Sequence, residues 1–121
     1  MLFHIERTTV ARRPGLTVRG ELDLATAPRL GEAVETELAS GATALVLDLT
    51  PTTFLDSSGA RELVRLARGA ATAGADLFVI APRSNRPVRL VVDLLDLGAS
   101  VPLVESASEI PVDIADGDAA K

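Results

Sequence analysis

A short apolar run that leads through a polar turn into an amphipathic segment constrains the fold of this chain most. Leu45, Val46 and Leu47 form the run, which is typical of a strand buried on both faces of a sheet. From Ala60 onward, apolar residues recur at helical spacing, with arginines and a glutamate on the other side. A buried strand followed by such a helix predicts a sheet that is covered by helices.

The rest of the chain predicts an N-terminal hairpin followed by alternating helices and strands. Residues 1–10 and 16–24 alternate apolar and polar positions, which predicts two antiparallel strands, and Gly20 predicts a bulge in the second. Strands that are separated by helices should be parallel with right-handed crossovers. The expected order is therefore β-β-α-β-α-β-α-β-α. This is an α/β fold in which a mixed sheet, an N-terminal hairpin plus parallel strands, packs with about four helices.

Cap and stop residues predict where the helices begin and end. Thr26 is expected to cap the first helix and Gly41 to end it, and Ser84 or Asn85 is expected to cap the third. Ser106, with Glu109 three residues later, has the spacing of a capping box and predicts a fourth helix. In the third helix, the periodicity places Val88, Val91, Val92 and Leu95 inward and Arg86, Arg89, Asp93 and Asp96 outward.

The polar residues between the central strand and the second helix carry the candidate chemistry. Residues 50–53 (TPTT) have turn composition, which predicts a loop. Asp56, Ser57 and Ser58 come directly before the helix, where side-chain oxygens accept hydrogen bonds from unpaired backbone N–H groups. The same position favours a phosphate, because the helix dipole is positive there. The residues alone leave two interpretations open, a helix cap and a regulatory or catalytic turn.

Composition excludes several classes of site. The 121 residues contain no cysteine, which excludes disulfides and thiolate metal sites and fits a reducing cytoplasm. The only histidine, His4, is expected in the first strand, which argues against a Ser–His–Asp hydrolase and against a metal site. The only lysine is Lys121, so a Walker loop and a receiver-type phosphoaspartate site both lack their internal lysine. The net charge of −5, without Trp or Tyr, argues against nucleic-acid binding, and no apolar run is long enough for membrane insertion.

Other charged residues have an ordinary structural interpretation beside a functional one. Asp23 follows the second predicted strand, where it is either a turn residue or part of a site. Arg61, Arg65 and Arg68 lie on the polar side of the second predicted helix, as a solvated face or as a docking face. Asp48 is either a strand-end residue or a buried, hydrogen-bonded acid.

Three motifs together resemble the STAS domain of anti-sigma factor antagonists. They are residues 20–23 (GELD) with Thr26 and Ala27, residues 45–49 (LVLDL), and residues 54–59 (FLDSSG). Their spacing also resembles that family, as does the later run at 87–90 (PVRL). The resemblance covers nearly the whole chain and implies a STAS domain at residues 1–115, followed by a flexible C-terminal tail at 116–121.

The resemblance implies a non-enzymatic switch in the cytoplasm, without a cofactor, a metal or a catalytic residue. The unphosphorylated form of such a protein binds an anti-sigma factor with serine kinase activity and thereby frees a sigma factor. The kinase then phosphorylates the first serine of D-S-S-G, here Ser57, which releases the partner, and a PP2C-type phosphatase resets the switch. The implied partner-binding residues are Asp23, Asp56, Ser57, Ser58, Gly59 and Arg61.

Two other functions compete with the switch. One is a STAS scaffold that is not phosphorylated, as a subunit of a stress-signalling or transport assembly. The other is a serine hydrolase, which the position of His4 and the absence of a G-x-S-x-G elbow disfavour.

Overall fold

The computed structural model describes residues 3–111, in which a mixed sheet of six strands packs against three α-helices. The predicted α/β class is therefore confirmed, whereas the expected domain boundary at residue 115 lies outside the described residues. The strands are β1 (Phe3–Val10), β2 (Arg13–Leu22), β3 (Ala44–Asp48), β4 (Thr52–Leu55), β5 (Asp76–Ile80) and β6 (Leu103–Val104), and the helices are α1 (Ala27–Ala39), α2 (Ser57–Thr72) and α3 (Arg86–Leu94).

Strand β2 has two different parallel neighbours, which gives the sheet its shape around the candidate site. The sheet order is β1-β2-β3-β5-β6, and β4 pairs with β2 beside this path. Residues Gly15–Thr17 of β2 pair with β3, whereas Gly20–Leu22 pair with β4. The β2–β4 register shifts between Gly20 and Glu21, and Gly20 has a positive φ of 97°. The predicted bulge is thus present, and it lets one strand serve two partners in succession.

Strand β4 corrects the prediction of a loop at residues 50–53. Thr52 begins the strand and is only 2% exposed. Its Oγ1 donates a hydrogen bond of 2.7 Å to the carbonyl oxygen of Val18 on β2, which satisfies the hydroxyl in the interior. Turn composition hid this strand because its stability comes from a partner strand that lies about thirty residues earlier, and not from its own pattern.

The prediction of a fourth helix was wrong for the described residues. Residues 3–111 contain three α-helices and only short 3₁₀ turns after α3. Ser106 is followed by one such turn, Ala107–Glu109. The capping box does not form as predicted, since the Glu109 carboxylate accepts from the backbone N–H of Glu105 and the Ser106 hydroxyl contacts that of Ser108. Residues beyond Pro111 lie outside the described part of the chain.

The side chains that helix α3 buries are not all those that the periodicity predicted. Val88 and Val92 are buried as expected, but Leu95 is 48% exposed. Arg89, expected in solvent, has a side chain that is only 14% exposed. Its Nη1 donates a hydrogen bond of 3.0 Å to the carbonyl oxygen of Ala81, directly after β5. A long arginine stem can cover apolar surface in this way, so charge alone did not reveal its position.

The core lies mainly between the sheet and the helices, with a smaller cluster on the opposite face of the sheet. Leu45 and Leu47 point into the main cluster and are fully buried. Val46, between them, belongs to the smaller cluster together with Ile80 and Ile110. Strand β3 is therefore buried on both faces, as its continuous apolar run predicted.

Candidate functional site

The D-S-S-G segment forms the junction between β4 and α2. Asp56 is the N-cap of α2, and its Oδ1 accepts a hydrogen bond of 2.9 Å from the backbone N–H of Gly59. Its main-chain carbonyl accepts from the N–H of Ala60 at 2.9 Å. The capping interpretation is thus confirmed for Asp56, and it leaves the two serines free for another role.

The two serines begin α2 but differ in exposure. Ser57 is the first residue of the helix and its side chain is exposed, whereas Ser58 is half-buried. Within residues 3–111, neither hydroxyl takes part in a hydrogen bond. The hydroxyl of Ser57 is therefore the more accessible nucleophile of the pair, at a helix end where backbone N–H groups favour an anion.

Close backbone contact joins this junction to the end of β2. The N–H of Asp56 donates to the carbonyl oxygen of Leu22 at 3.3 Å. Gly59 is buried against the same carbonyl, and a Cβ at this position would overlap that oxygen and come within 2.8 Å of Leu55 Cδ1. The D-S-S-G motif therefore needs glycine at position 59, because a side chain there would separate α2 from β2.

Asp23 organises the loop between β2 and α1 with its own side chain. Its Oδ1 accepts from the N–H groups of Ala25 and Thr26 at 3.0 and 3.1 Å. Thr26 occupies the N-cap position of α1, but its hydroxyl does not cap the helix as predicted. It bonds instead to residues that precede it in the chain. The hydroxyl oxygen accepts from the N–H of Asp23 at 2.9 Å, and the hydroxyl donates to the carbonyl of Glu21 at 2.7 Å. Half-exposed Asp23 thus holds this loop in place beside the serine turn.

A shallow groove separates that loop from the first two turns of α2. The predicted site residues Ser58 and Arg61 lie on its helix side. Leu24, which directly follows Asp23, lies on its loop side and is 73% exposed. The other lining residues are Ala27, Pro28, Glu62 and Arg65. The structure therefore places the GELD loop and the D-S-S-G turn side by side.

The arginines of α2 are not equivalent. Arg65 bonds to Glu62 (Nε to Oε1, 2.9 Å) and to Glu35 on α1 (Nη1 to Oε2, 3.2 Å). These hydrogen bonds, chiefly the one to Glu62, raise the pKa of Arg65 above its ordinary value, so it is charged at every accessible pH. Among the described residues, Arg61 and Arg68 form no ion pair, and both are exposed. Arg65 therefore joins two helices, while Arg61 is available beside the groove.

Sequence reasoning missed exposed apolar residues on β4 and α3. Phe54 on β4 is 44% exposed, and Leu90 and Leu94 on α3 are 61% and 73% exposed. Leu90 and Leu94 are four residues apart and lie outside the stripe of Val88 and Val92, a signal that was available in the sequence. A contiguous patch of such side chains is typical of surfaces that bind other proteins, whereas single exposed ones are common on any protein.

Asn85 fixes the loop that precedes β4. Its Nδ2 donates to the carbonyl oxygens of Leu49, Thr50 and Thr52, at 3.0, 3.3 and 2.8 Å. Its Oδ1 accepts from the N–H of Val88 at 3.4 Å, so the predicted cap of α3 is present. The Asn85 side chain therefore caps α3 and also holds the turn that leads into β4 and the serines.

Two kinds of feature are absent from the described part of the chain. None of its helices combines the length and the apolar character needed to cross a membrane. No group of three or more His, Asp and Glu side chains within residues 3–111 is arranged to hold a metal ion.

Comparisons with known proteins find relatives over nearly the whole chain. A family model described as "Mlab, STAS domain" matches residues 6–105. A comparison with curated proteins gives no match. Among solved structures, the chain is similar to an anti-sigma factor antagonist from Mycobacterium paratuberculosis, with 23% identity and a TM-score of 0.70 over 99% of this chain and 96% of that one.

Two further structures are of the anti-sigma factor antagonist SpoIIAA. The unphosphorylated form is 23% identical, with a TM-score of 0.66 over 96% of this chain and 97% of that one. The phosphorylated form, from Bacillus, is 20% identical, with a TM-score of 0.57 over 99% and 100%. At these identities the structures establish a common fold.

Proposed function

Because the chain belongs to the STAS domain family, we propose that it is an anti-sigma factor antagonist that works as a phosphorylation switch. Its unphosphorylated form binds an anti-sigma factor with serine kinase activity and frees a sigma factor. Phosphorylation at Ser57 then releases the partner, and a PP2C-type phosphatase restores the binding form. The likeness to SpoIIAA, solved in unphosphorylated and phosphorylated forms, supports this proposal.

One observation carries the proposal, namely the exposed Ser57 hydroxyl at the first position of α2. A kinase needs a hydroxyl that it can reach, and Ser57 meets this requirement better than half-buried Ser58. The unpaired N–H groups and the dipole of the helix end can accept a phosphate without strain. Asp56 adds a negative charge next to it, but its carboxylate is already engaged by the N–H of Gly59, and water screens an exposed pair.

The proposed docking surface combines polar residues of the switch with apolar anchors. The polar residues Asp23, Asp56, Ser57, Ser58 and Arg61 come from the two adjacent motifs and the start of α2. Gly59 is buried and contributes by holding α2 against β2, not by contact with the partner. Exposed Leu24 and Phe54 flank the polar residues in the chain and supply apolar area, which usually dominates the energy of a protein interface.

Release follows from the charge of the phosphate. A phosphoserine carries roughly −1.5 to −2 charges at neutral pH. If it is buried in an interface, the part of this charge that no cation balances loses its water, which costs several kcal/mol. Since about 1.4 kcal/mol changes a binding constant tenfold, this cost weakens the complex by orders of magnitude. The domain itself does not need to change shape for the switch to work.

Phosphate mapping tests the proposal directly. The chain is incubated with ATP and the serine-kinase anti-sigma factors of the same genome, and its intact mass and fragment masses are measured. We expect one added phosphate on Ser57, retained in Ser58→Ala and absent from Ser57→Ala. Phosphate on Ser58 alone would contradict the assignment, and no added mass with any kinase that binds the chain would reject the switch.

The second candidate function is a STAS scaffold that binds its partner without phosphorylation, in a stress-signalling or transport assembly. This function needs the STAS domain, which the family match over residues 6–105 supports, but no modification of a serine. A scaffold binds equally well with and without ATP, whereas the switch loses its partner when ATP is present. Binding measured under both conditions therefore separates the two functions.

Two expectations accompany the proposal, no enzymatic activity and a cytoplasmic location. The sole histidine, His4, lies on β1 and lines a depression with Arg29 and Glu32 of α1, not with the serines of α2. This position supports a binding protein over a serine hydrolase. The lack of cysteine in the sequence fits a reducing compartment.

A further inference from the structure

We propose that Arg61 is the phosphate-binding residue of this switch, and that its guanidinium pairs with the phosphate on Ser57 across one turn of α2. The inference rests on the proposed function, because it concerns the phosphorylated form. It goes beyond that function by assigning one residue of this chain the task of holding the phosphate. It also predicts a second change on the docking surface when Ser57 is modified.

The spacing on α2 brings the two side chains together. Ser57 begins the helix and Arg61 follows four residues later, and side chains at this spacing have Cβ atoms about 6 Å apart. Helical side chains lean toward the N-terminus, so the Arg61 stem leans toward Ser57. The acidic partner precedes the basic one, which is the more favourable order for an i,i+4 pair. The planar guanidinium can also bind two phosphate oxygens at once.

Arg61 is the arginine of α2 that is both near enough and free. Within residues 3–111 it forms no ion pair, and its side chain is exposed. Arg65 is engaged by Glu62 and Glu35, and it would have to give up two carboxylates to reach a phosphate. Arg68 likewise forms no ion pair with the described residues, but it lies eleven residues from Ser57, roughly 16 Å along the helix axis.

The carboxylates nearest to the switch are held by backbone N–H groups, and neither forms an ion pair with Arg61 among the described residues. The Asp56 Oδ1 accepts from the N–H of Gly59, and the Asp23 Oδ1 accepts from two N–H groups of its own loop. In the unphosphorylated protein, Arg61 lines the groove beside Leu24. Pairing with the phosphate draws the guanidinium out of this groove toward Ser57. Phosphorylation therefore adds negative charge to the docking surface and at the same time removes a positive group from the groove.

A titration of the phosphate itself tests this pairing. Phosphoserine is incorporated at position 57 during translation, and its second ionisation is followed by ³¹P NMR in the full chain. The same measurement is made on Arg61→Gln, on Arg61→Lys and on the matched control Arg68→Gln. Circular dichroism establishes that each variant is folded before its titration is interpreted.

A pairing guanidinium stabilises the dianion and lowers the pKa of the phosphate. We expect this pKa to be roughly 0.15–0.4 higher in Arg61→Gln than in the unsubstituted phosphoprotein. Arg68→Gln should match the unsubstituted protein, and Arg61→Lys should restore part of the difference. Equal values in Arg61→Gln and the unsubstituted protein overturn the proposal, as does an equal rise in Arg68→Gln, which would indicate only a general field.

The outcome is independent of the proposed function, because translation installs the phosphate without a kinase. If the pairing is absent, Arg61 loses its assigned task while phosphate mapping can still support the switch. If no kinase phosphorylates Ser57, the switch fails even where the titration detects the pairing.

Discussion

Gly59 packs directly against the carbonyl oxygen of Leu22, so that the first turn of α2 rests on the last residue of β2. The same carbonyl accepts the N–H of Asp56. Through this contact the D-S-S-G turn has a defined position relative to the GELD loop, although more than thirty residues separate them in the chain. The relationship makes the candidate site a property of two motifs and not of either one.

Gly59→Ala should destabilise the domain, because the added Cβ overlaps a backbone oxygen that cannot move without disturbing β2. We expect a loss of about 1–3 kcal/mol in the free energy of unfolding, measured with urea. Gly69→Ala is the matched control in the same helix, where a Cβ meets no atom within 4 Å. This control should gain roughly 0.5–1 kcal/mol from helix propensity. Equal effects of the two substitutions would contradict the close approach.

Leu47→Ala should cost about 2–5 kcal/mol, since Leu47 is fully buried in the main core cluster and its truncation leaves a cavity. Leu94→Ala provides the comparison, because Leu94 is 73% exposed. The free energy of unfolding of Leu94→Ala should stay within about 0.5 kcal/mol of the unsubstituted value. Thermal and urea unfolding, followed by circular dichroism, measure the stability of both variants. A small effect of Leu47→Ala would contradict the placement of β3 in the core.

Asn85→Asp isolates the hydrogen bonds that hold the turn before β4. The substitution keeps an oxygen that can cap α3 but places the second oxygen against carbonyl oxygens that Nδ2 now bonds. We expect a cost of about 1–3 kcal/mol in urea unfolding. Ser84→Asp adds the same charge one residue earlier, at an exposed position, and should change stability by less than about 0.5 kcal/mol.

Asp23 has a structural task and a proposed binding task, which two substitutions separate. Asp23→Asn keeps an oxygen for the N–H groups of Ala25 and Thr26, so the loop and the stability should be retained. Asp23→Ala removes that acceptor and should cost about 0.5–1.5 kcal/mol. If the charge contacts the partner, both variants bind the anti-sigma factor more weakly in a calorimetric titration. Unchanged affinity of Asp23→Asn would remove the charge from the docking surface.

Variants of the serines test the switch in binding assays. Ser57→Ala should bind the kinase and stay bound when ATP is added, because no phosphate can form. Ser57→Asp should bind poorly, with an unchanged melting temperature, because a negative charge at a helix start is tolerated by the fold. Ser58→Ala should bind and be released by ATP like the unsubstituted chain. Release of Ser57→Ala by ATP would contradict the mechanism.

Local patterns were sufficient for most of the architecture. The apolar run at 45–47 predicted a strand buried on both faces, and Leu45 and Val46 indeed face opposite clusters. Asp56 caps α2, and Gly20 marks a shift in strand register. These features depend on a few consecutive residues, whose spacing and backbone freedom are readable in the chain.

The largest error falls where distant residues decide the conformation. Residues 50–53 have the composition of a turn, yet Thr52 and Thr53 belong to β4, because β2 offers hydrogen-bonding partners and Asn85 holds the preceding loop. The error at Ser106 is local: the segment has the spacing of a capping box, but the Glu109 carboxylate bonds to the N–H of Glu105, and only a 3₁₀ turn follows. Local propensity is a weak prior that tertiary contacts override.

By itself, the sequence determined the fold class, the cap of α2 and the family resemblance, since each depends on residue types at short and regular spacing. Only the tertiary structure decided that Gly59 lies on the carbonyl of Leu22, that Asn85 holds the loop before β4, and that Arg65 pairs with Glu35 of α1. Those facts concern residues from different elements. Their distances follow from how the sheet and helices pack, which no short stretch of the chain encodes.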